Sequence, residues 1–252
     1  MQTTLPMVRT KYSSFEKHAS REYVPGLEGE IATQLMLMYR KAVEKSSPLI
    51  LELGTATGQS TAVFLQACQE KDGRLVSVDI ADCSQVSDSS TWQFVQSDST
   101  DVDFILSRAP CLKDGIDILY IDSLHRKDHV KKELTGWYPY MNKQSWIFLD
   151  DVDANPYRKG NRKDKLSWEV AWDEIHEYVQ SFFYANEDSL YLSVMYGSTG
   201  LACLYKLSPK GTMPQEAKSI VHRRKNVLSM LRHSPRSMLS SAKRRIGSQA
   251  HS

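Results

Sequence analysis

The amino-acid sequence predicts an α/β fold with a doubly wound, seven-stranded, mostly parallel sheet that closes with an antiparallel C-terminal hairpin. Short β-branched runs alternate with longer amphipathic runs from about residue 48 to residue 207, which is typical of parallel strands joined by crossover helices. The first apolar run ends in a glycine turn, "GTATG" (54–58). The last two strand-like runs are joined by the short turn "GSTG" (197–200), which indicates an antiparallel pair.

The individual elements follow from the same alternation. Parallel strands are predicted at 48–53, 74–80, 92–97, 116–122 and 145–151, and the hairpin strands at 190–197 and 200–207. The clearest helices cover 59–70, 126–141 and 166–184, where apolar residues recur at helical spacing. A further amphipathic helix at 26–46 is expected to cover one edge of the sheet or to form a lid over the site. We therefore expect a helical cap at 1–47, a central domain at 48–208 and a tail at 209–252.

The formal net charge of +2 hides an uneven distribution of charge. Residues 218–252 hold nine of the 32 Lys and Arg and none of the 30 Asp and Glu, which leaves 23 basic and 30 acidic residues before them. The body is therefore acidic, and the tail is a basic appendage. Such a tail could lie on an anionic membrane surface or bind an acidic partner. Packing in a homo-oligomer and phosphate contacts with nucleic acid remain alternatives, although an acidic body favours nucleic acid less.

The sequence gives little support for an export signal, a membrane span or a cysteine-based site. The apolar runs are strand-sized, and the first 15 residues lack the apolar core of a signal peptide. The four cysteines show neither CxxC nor metal-ligand spacing, so they are expected to be buried or incidental thiols. We expect a cytoplasmic protein, with the tail able to hold it at the periphery of a membrane.

Acidic residues stand at the ends of three successive predicted strands: Glu52, Asp79 and Asp98. Ligands of open α/β sheets bind beyond the carboxyl ends of the strands. Asp79 follows Gly58 by 21 residues, close to the spacing of a nucleotide-binding βαβ unit in which an acid accepts hydrogen bonds from ribose. Three carboxylates would repel a pyrophosphate. They suit the amino group, sulfonium, ribose and adenine of S-adenosylmethionine better than they suit NAD.

The ordered segments "LELGTATGQST", "VSVDI", "QSDST", "LYIDSLHRKDHVKKEL" and "WIFLDDVD" resemble class I S-adenosylmethionine-dependent methyltransferases. The branch they resemble most is that of catechol and sugar O-methyltransferases. The resemblance covers residues 28–207 and implies a Rossmann-like methyltransferase fold. The sequence departs from the common pattern at Ala56 and Ser123, where many members have glycine, and at "MNKQS" (141–145), which replaces a Pro-Gly-Gly turn. The two exchanges to small residues should be tolerated, and the third is expected to alter a surface turn.

The resemblance also implies a set of cofactor contacts. The first turn would hold the methionine part, the acid after the second strand the ribose, and the acid after the third strand the adenine. The expected contacts are Glu52, Gly54, Thr55, Ala56, Gly58, Ser60, Asp79, Ile80, Asp98, Ser99 and Asp122.

Asp122, Asp150 and Asp151 follow the fourth and fifth predicted strands and should converge at one edge of the cofactor pocket. Three oxygen ligands without cysteine suit Mg²⁺ or another hard divalent cation, which would lower the pKa of an acceptor hydroxyl. Alternatively, Asp122 contacts only the cofactor and the paired acids cap the next loop. His125 lies where catechol-type enzymes carry the residue that removes the proton, so it is expected to act as the base with Asp122 beside it. Alternatively, His125 caps the next helix or orients the substrate, and His129 is the reserve candidate for the base.

The sequence therefore predicts a methyltransferase that acts on a hydroxyl of a small molecule or sugar, assisted by a divalent cation. The loop at 152–165 carries five Lys and Arg and could recognise an anionic acceptor, or it could be a solvated surface loop. Two other functions stay open: an RNA methyltransferase recruited through the basic tail, and a non-catalytic scaffold that binds S-adenosylmethionine.

Overall fold

The computed structural model describes residues 7–218. The predictions for the basic tail, apart from Lys218, lie outside these residues. Within residues 7–218, none of the helices combines the length and the apolar character that a membrane span requires.

A seven-stranded sheet forms the centre of the fold, in the order β3-β2-β1-β4-β5-β7-β6. Its strands, in chain order from β1 to β7, are Leu49–Leu53, Arg74–Asp79, Trp92–Gln96, Ile116–Ile121, Met141–Asp150, Leu190–Met195 and Leu201–Lys206. The first five strands are parallel, while β7 pairs antiparallel with both β5 and β6. The predicted fold class is confirmed. Because β7 is reversed, the turn before it lies at the same edge as the carboxyl ends of the parallel strands.

Helices cover both faces of the sheet. Helices α1 to α6 are Phe15–Ala19, Leu27–Val43, Gln59–Lys71, Val102–Arg108, Lys127–Trp137 and Leu166–Ala185. One buried cluster joins α1, α2 and α3 to the sheet, and a second joins it to α4, α5 and α6. The sequence did not predict α1 or α4, which have five and seven residues and are too short for a clear period.

Helix α6 follows its predicted apolar stripe closely. Trp172, Ile175, Val179 and Phe182 are buried, whereas Val170, at the start of the stripe, is 47% exposed. The helix begins at Leu166. Trp168 and Trp172, in its first two turns, line the same cavity as Asp122 and Asp150 at the carboxyl ends of β4 and β5.

Strand β5 begins earlier than the sequence predicted. Residues 141–145, expected to form a surface turn, are the first half of the strand, with Met141 and Ser145 buried. The register shifts between the pairs Ile116–Met141 and Ile118–Trp146, and Gln144 has a φ of 63°. A β-bulge in β5 therefore accommodates residues 141–145, which replace the Pro-Gly-Gly turn of the family pattern.

Two segments flank the central domain in the predicted division of the chain. Helix α2 packs against α3 over one face of the sheet. At the other end, the backbone N–H of Gly211 donates to the carbonyl of Pro139, and that of Gln215 donates to the side chain of Asn186. The division into a cap, a central domain and a tail stays a prediction.

Candidate active site

The glycine turn after β1 is shaped by close contacts with other parts of the chain. Gly54 has a φ of 100°, and a Cβ there would lie 2.0 Å from the carbonyl oxygen of Asp122. At Gly58 a Cβ would lie 2.4 Å from Val86 Cγ1. Between them, Ala56 adopts a φ of 43°, a left-handed conformation that favours glycine. Gly54 therefore lets the ends of β1 and β4 approach each other, and Ala56 adopts a strained backbone conformation between the two glycines.

Glu52 lies beneath this turn and is fully buried. Its carboxylate accepts hydrogen bonds from Ser60 Oγ at 2.6 Å, Thr61 Oγ1 at 2.8 Å and Ser77 Oγ at 2.5 Å. Burial raises the pKa of Glu52 to about 7, although the three hydroxyl donors oppose the shift. The side chain thus joins β1, β2 and α3 from inside. Its predicted contact with a cofactor stays a prediction, while Ser60 also lines the cavity described below.

Asp79, at the end of β2, organises the turn from the opposite side. Its Oδ2 accepts from the backbone N–H of Thr55 at 2.9 Å and of Ala56 at 3.1 Å, and its Oδ1 accepts from the N–H of Ala81. Thr55 Oγ1 is buried without a hydrogen-bond partner among the described residues. Ile80, next to Asp79, is 76% exposed. Asp79, which was predicted to bind the ribose, is therefore hydrogen-bonded directly to the turn that was predicted to hold the methionine part.

Asp98 and Ser99, after β3, belong to two different networks. The exposed Asp98 accepts from the backbone N–H and the hydroxyl of Thr100, which hold its pKa below its usual range. Ser99 is buried and donates to Glu133 Oε1 at 2.5 Å. Ser123 donates to the same oxygen at 2.5 Å, and His129 Nε2 lies 3.0 Å from Ser99 Oγ.

Glu133 ties the loops after β3 and β4 to α5, and the sequence did not predict it. It is fully buried, and its Oε2 has no hydrogen-bond partner among residues 7–218. The only sequence feature that could have revealed it is its spacing of four residues from His129, which on a helix brings two side chains together. The reserve base, His129, therefore faces this buried glutamate.

The acidic residues after β4 and β5 converge around a tyrosine. The hydroxyl of the buried Tyr120 lies 3.1 Å from Asp122 Oδ2 and 3.2 Å from Asp150 Oδ2. Burial, and then the charges of Asp150 and Asp151, raise the pKa of Asp122 well above its usual range. Burial and the charge of Asp151 likewise raise the pKa of Asp150 to about 6. The cluster holds more negative charge than its neighbours balance, which favours a bound proton or cation.

His125 completes this cluster. Its Nδ1 contacts Asp151 Oδ2, and this contact, opposed by burial, raises the pKa of His125. One ligand atom each from Asp122, His125 and Asp151 lies within 4.8 Å of the others. Asp151, directly after β5, has a φ of 62°, a left-handed conformation that is unusual for a residue other than glycine.

The residues grouped here are Asp122, His125 and Asp151. They differ in one member from the predicted metal ligands, which were Asp122, Asp150 and Asp151. Asp150 Oδ1 accepts from Thr199 Oγ1 at 2.8 Å and from the N–H of Asp151 at 2.8 Å, and its Oδ2 lies against Tyr120. Asp150 therefore anchors the turn before β7 to the end of β5. The third member of the observed group is therefore His125 and not Asp150.

A cavity of about 650 Å³ opens above the cluster. Apolar side chains of α2 line one part of it, and Tyr157, Trp168 and Trp172 line another part. Trp137 and Tyr138, near the end of α5, lie in the core instead. Burial, and then the charge of Asp151, raise the pKa of Tyr157 to about 12, so its hydroxyl keeps its proton. The acids, the start of α3 and a group of aromatic side chains thus line one space.

Three segments are tied together over this cavity. Arg162 Nη2 pairs with Glu30 Oε2 at 2.9 Å and donates to the carbonyl of Ser198 at 3.2 Å. The N–H of Ser198 donates to the same Glu30 oxygen at 2.5 Å, and Gln34 donates to the carbonyl of Gly197 at 3.0 Å. This roof joins α2, the loop after β5 and the β6–β7 turn.

Comparisons with known proteins agree with the fold. Residues 51–152 match the family model described as a methyltransferase domain. No curated protein matches the chain by sequence. The chain is similar to the SAH-bound methyltransferase PaMTH1 from Podospora anserina, at 12% identity and a TM-score of 0.55, over 77% of this chain and 87% of that one. A protein from Corynebacterium glutamicum gives 15% identity and a TM-score of 0.53, over 77% and 88% of the two chains.

The chain is also similar to MycE, a methyltransferase of mycinamycin biosynthesis solved with Mg, SAH and mycinamycin VI, at 18% identity and a TM-score of 0.53. The match covers 79% of this chain and only 56% of MycE. The predicted fold is confirmed: the chain has the fold of these methyltransferases, and residues 51–152 match a methyltransferase domain.

Proposed function

We propose that this protein transfers the methyl group of S-adenosylmethionine to a hydroxyl of a small-molecule or sugar acceptor, with a divalent cation assisting. The observation that carries the proposal is the pair His125–Asp151 beside Asp122, in a cavity that also reaches Gln59 and Ser60 at the start of α3. A base and a cluster of acids then face one space with the start of the helix that follows the glycine turn. The solved complexes of MycE and PaMTH1 with SAH support the same cofactor here.

The cofactor would lie across the ends of β1, β2 and β3. The turn at 54–58 would hold its methionine part, and Asp79 would accept hydrogen bonds from the ribose hydroxyls. The exposed Ile80 offers an apolar surface for one face of the adenine, and Asp98 and Ser99 would line the edge of the ring. Asp122 would lie next to the sulfonium, where its charge favours the cation.

A divalent cation fits the chemistry of the acidic cluster. Asp122 and Asp151 supply carboxylate oxygens, the ligands that Mg²⁺ prefers, and burial followed by the neighbouring negative charges raises the pKa of Asp122 and of Asp150. We propose that Asp122 and Asp151 hold the ion and that Asp150 supports them from behind. When bound, such an ion lowers the pKa of an acceptor hydroxyl. The Mg in the MycE complex supports this assignment.

His125 would remove the acceptor proton. The contact of Nδ1 with Asp151 leaves Nε2 free to accept it, and the carboxylate stabilises the imidazolium that forms. The acceptor oxygen then bonds to the methyl carbon as the bond from that carbon to sulfur breaks, which leaves S-adenosylhomocysteine. Holding the two reactants in line accounts for much of the rate in such a transfer. The cavity walls and the roof through Arg162 would provide that positioning and exclude water.

The proposal is tested by comparing Asp151→Asn with Asp153→Asn. Asp153 is a nearby carboxylate on the same segment that does not line the cavity. S-adenosylmethionine binding is measured by calorimetry and turnover by S-adenosylhomocysteine release, both with and without Mg²⁺. We expect Asp151→Asn to lose about 100-fold or more in turnover and to bind the cofactor within about threefold of the wild type. Equal loss of cofactor binding and turnover, or an equal effect of Asp153→Asn, would refute the assignment.

A further inference from the structure

The loop after β5 carries five cationic side chains, and their surroundings differ. Arg158 lies 3.3 Å from Asp173, Arg162 pairs with Glu30, and Lys165 lies 3.6 Å above the ring of Trp168. Lys159 is exposed and does not line the cavity. Lys163 is the fifth, and it is the one cation of this loop that lines the cavity.

Lys163 is held in place without being neutralised. Its Nζ donates to Tyr157 Oη at 2.7 Å and lies 4.8 Å from the centre of the same ring. Within residues 7–218, no carboxylate lies within ion-pair distance of this ammonium group. An ammonium group has three donors, and the tyrosine hydroxyl uses one. Two donors and a full positive charge therefore remain available beside the cavity.

The surroundings of Lys163 suit a ring that bears a charge. Tyr157, Trp168 and Trp172 pack together, with Trp168 centred 5.1 Å from Tyr157 and 5.2 Å from Trp172. Aromatic walls of this kind pack against the faces of sugar and aromatic rings. The carboxylates of Asp122 and Asp151 line the same cavity and would repel a negative group placed beside them. Arg126 also lines the cavity, but Lys163 is the cation that lies against the aromatic side chains. An acceptor whose ring packs on these side chains is therefore favoured with its anionic group at Lys163.

Within the methyl transfer proposed above, on which this inference rests, the geometry points to an acceptor of a defined class. We infer that it is a hydroxylated ring that also carries a carboxylate or phosphate group, which Lys163 binds while the ring lies against the aromatic wall. Lys163 is then a residue that determines specificity. It holds the anion at one end so that the hydroxyl points toward Asp122 and His125 at the other.

The test compares matched acceptors that differ only in charge. One pair is 3,4-dihydroxybenzoate and its methyl ester, and the other is glucose 6-phosphate and glucose. The value of kcat/KM is measured by S-adenosylhomocysteine release with Mg²⁺ for the wild type, Lys163→Met, Lys163→Arg and the matched control Lys159→Met. Cofactor affinity is measured in parallel for every variant. The two pairs separate a carboxylate ligand from a phosphate ligand.

In at least one pair we expect the wild type to prefer the anionic member about tenfold or more. Lys163→Met should lower kcat/KM for that member about 10- to 100-fold, the range expected for a charged hydrogen bond, and leave the neutral member within about threefold. Lys163→Arg should restore part of the loss, and Lys159→Met should have no effect. Equal use of both members, preference for the neutral one, or equal effects of the two methionine variants would overturn the inference and leave the proposed O-methylation intact. Absence of turnover with every acceptor, in protein that binds S-adenosylmethionine, would overturn both.

Discussion

Substitution of Glu52 by glutamine should change how the stability of the protein depends on pH. In the folded protein, burial raises the pKa of this carboxyl from 4.5 to about 7. The folded state therefore keeps a proton that the unfolded state loses between pH 4.5 and pH 7. Stability from this group is fully present below pH 4.5 and is lost as the pH rises toward 7, at about 1.4 kcal/mol per pH unit. Over the whole interval the loss is about 3 kcal/mol.

The assay is urea unfolding of the wild type and Glu52→Gln at several pH values from 4.5 to 8. Glutamine has nearly the same shape, and its amide oxygen can still accept from the hydroxyls around it, but it does not titrate. The free energy of unfolding of the variant, relative to the wild type, should rise by about 3 kcal/mol across this range. Taking the difference between the two proteins removes the contribution of other titrating groups.

A difference that does not change with pH would refute the reasoning, because it would mean that Glu52 is ionised in the folded protein at every pH tested. The same variant also tests the role predicted for Glu52 from the sequence. If the residue only joins β1, β2 and α3, Glu52→Gln should bind S-adenosylmethionine within about threefold of the wild type. A loss of about 10- to 100-fold in affinity would indicate a direct charged contact with the cofactor.

Three further predictions concern other residues. His125→Ala should lower turnover by about 100- to 10,000-fold, as expected for loss of a general base, and leave cofactor affinity within about threefold by calorimetry; an equal loss in Mg²⁺ affinity would make His125 a ligand instead. Ala56→Gly should raise the free energy of unfolding by about 0.5–1 kcal/mol in urea, because it relieves a left-handed φ, and a decrease would contradict the strain. Burial lowers the pKa of His18 from 6.5 to about 4, so the wild type should lose roughly 3 kcal/mol as the pH falls through this range, and His18→Gln should not show that loss.

The sheet could be predicted because each strand is short, apolar and bounded by turn residues, and the local pattern agrees with the global fold. The strand-end acids were found for the same reason, since parallel strands bring their carboxyl ends to one edge. Helix α4 escaped prediction because it has seven residues, and its cap at Asp101 resembles an ordinary loop aspartate.

The details of the site depended on contacts that sequence order does not reveal. Asp150 and Asp151 are adjacent and chemically identical, yet the left-handed φ of Asp151 turns one carboxylate toward His125 while Asp150 is held by Thr199. Glu133 looks like a solvent-facing helical acid until Ser99 and Ser123, from two different loops, donate to it. Such roles arise from tertiary contacts between distant segments, and a local pattern cannot show them.

The roof over the cavity is built from segments that are far apart in the chain and outside the five parallel strands. Glu30 joins α2 to Arg162 of the loop after β5 and to Ser198 of the β6–β7 turn. The residues proposed for the methyl transfer itself lie at the ends of the parallel strands. Exchanges in the roof that keep Thr199, whose hydroxyl holds Asp150, would thus alter the choice of acceptor without moving the groups proposed for the transfer. Because the segments 26–46, 152–165 and 197–200 bind one another through these contacts, they could be exchanged together between enzymes that share this sheet.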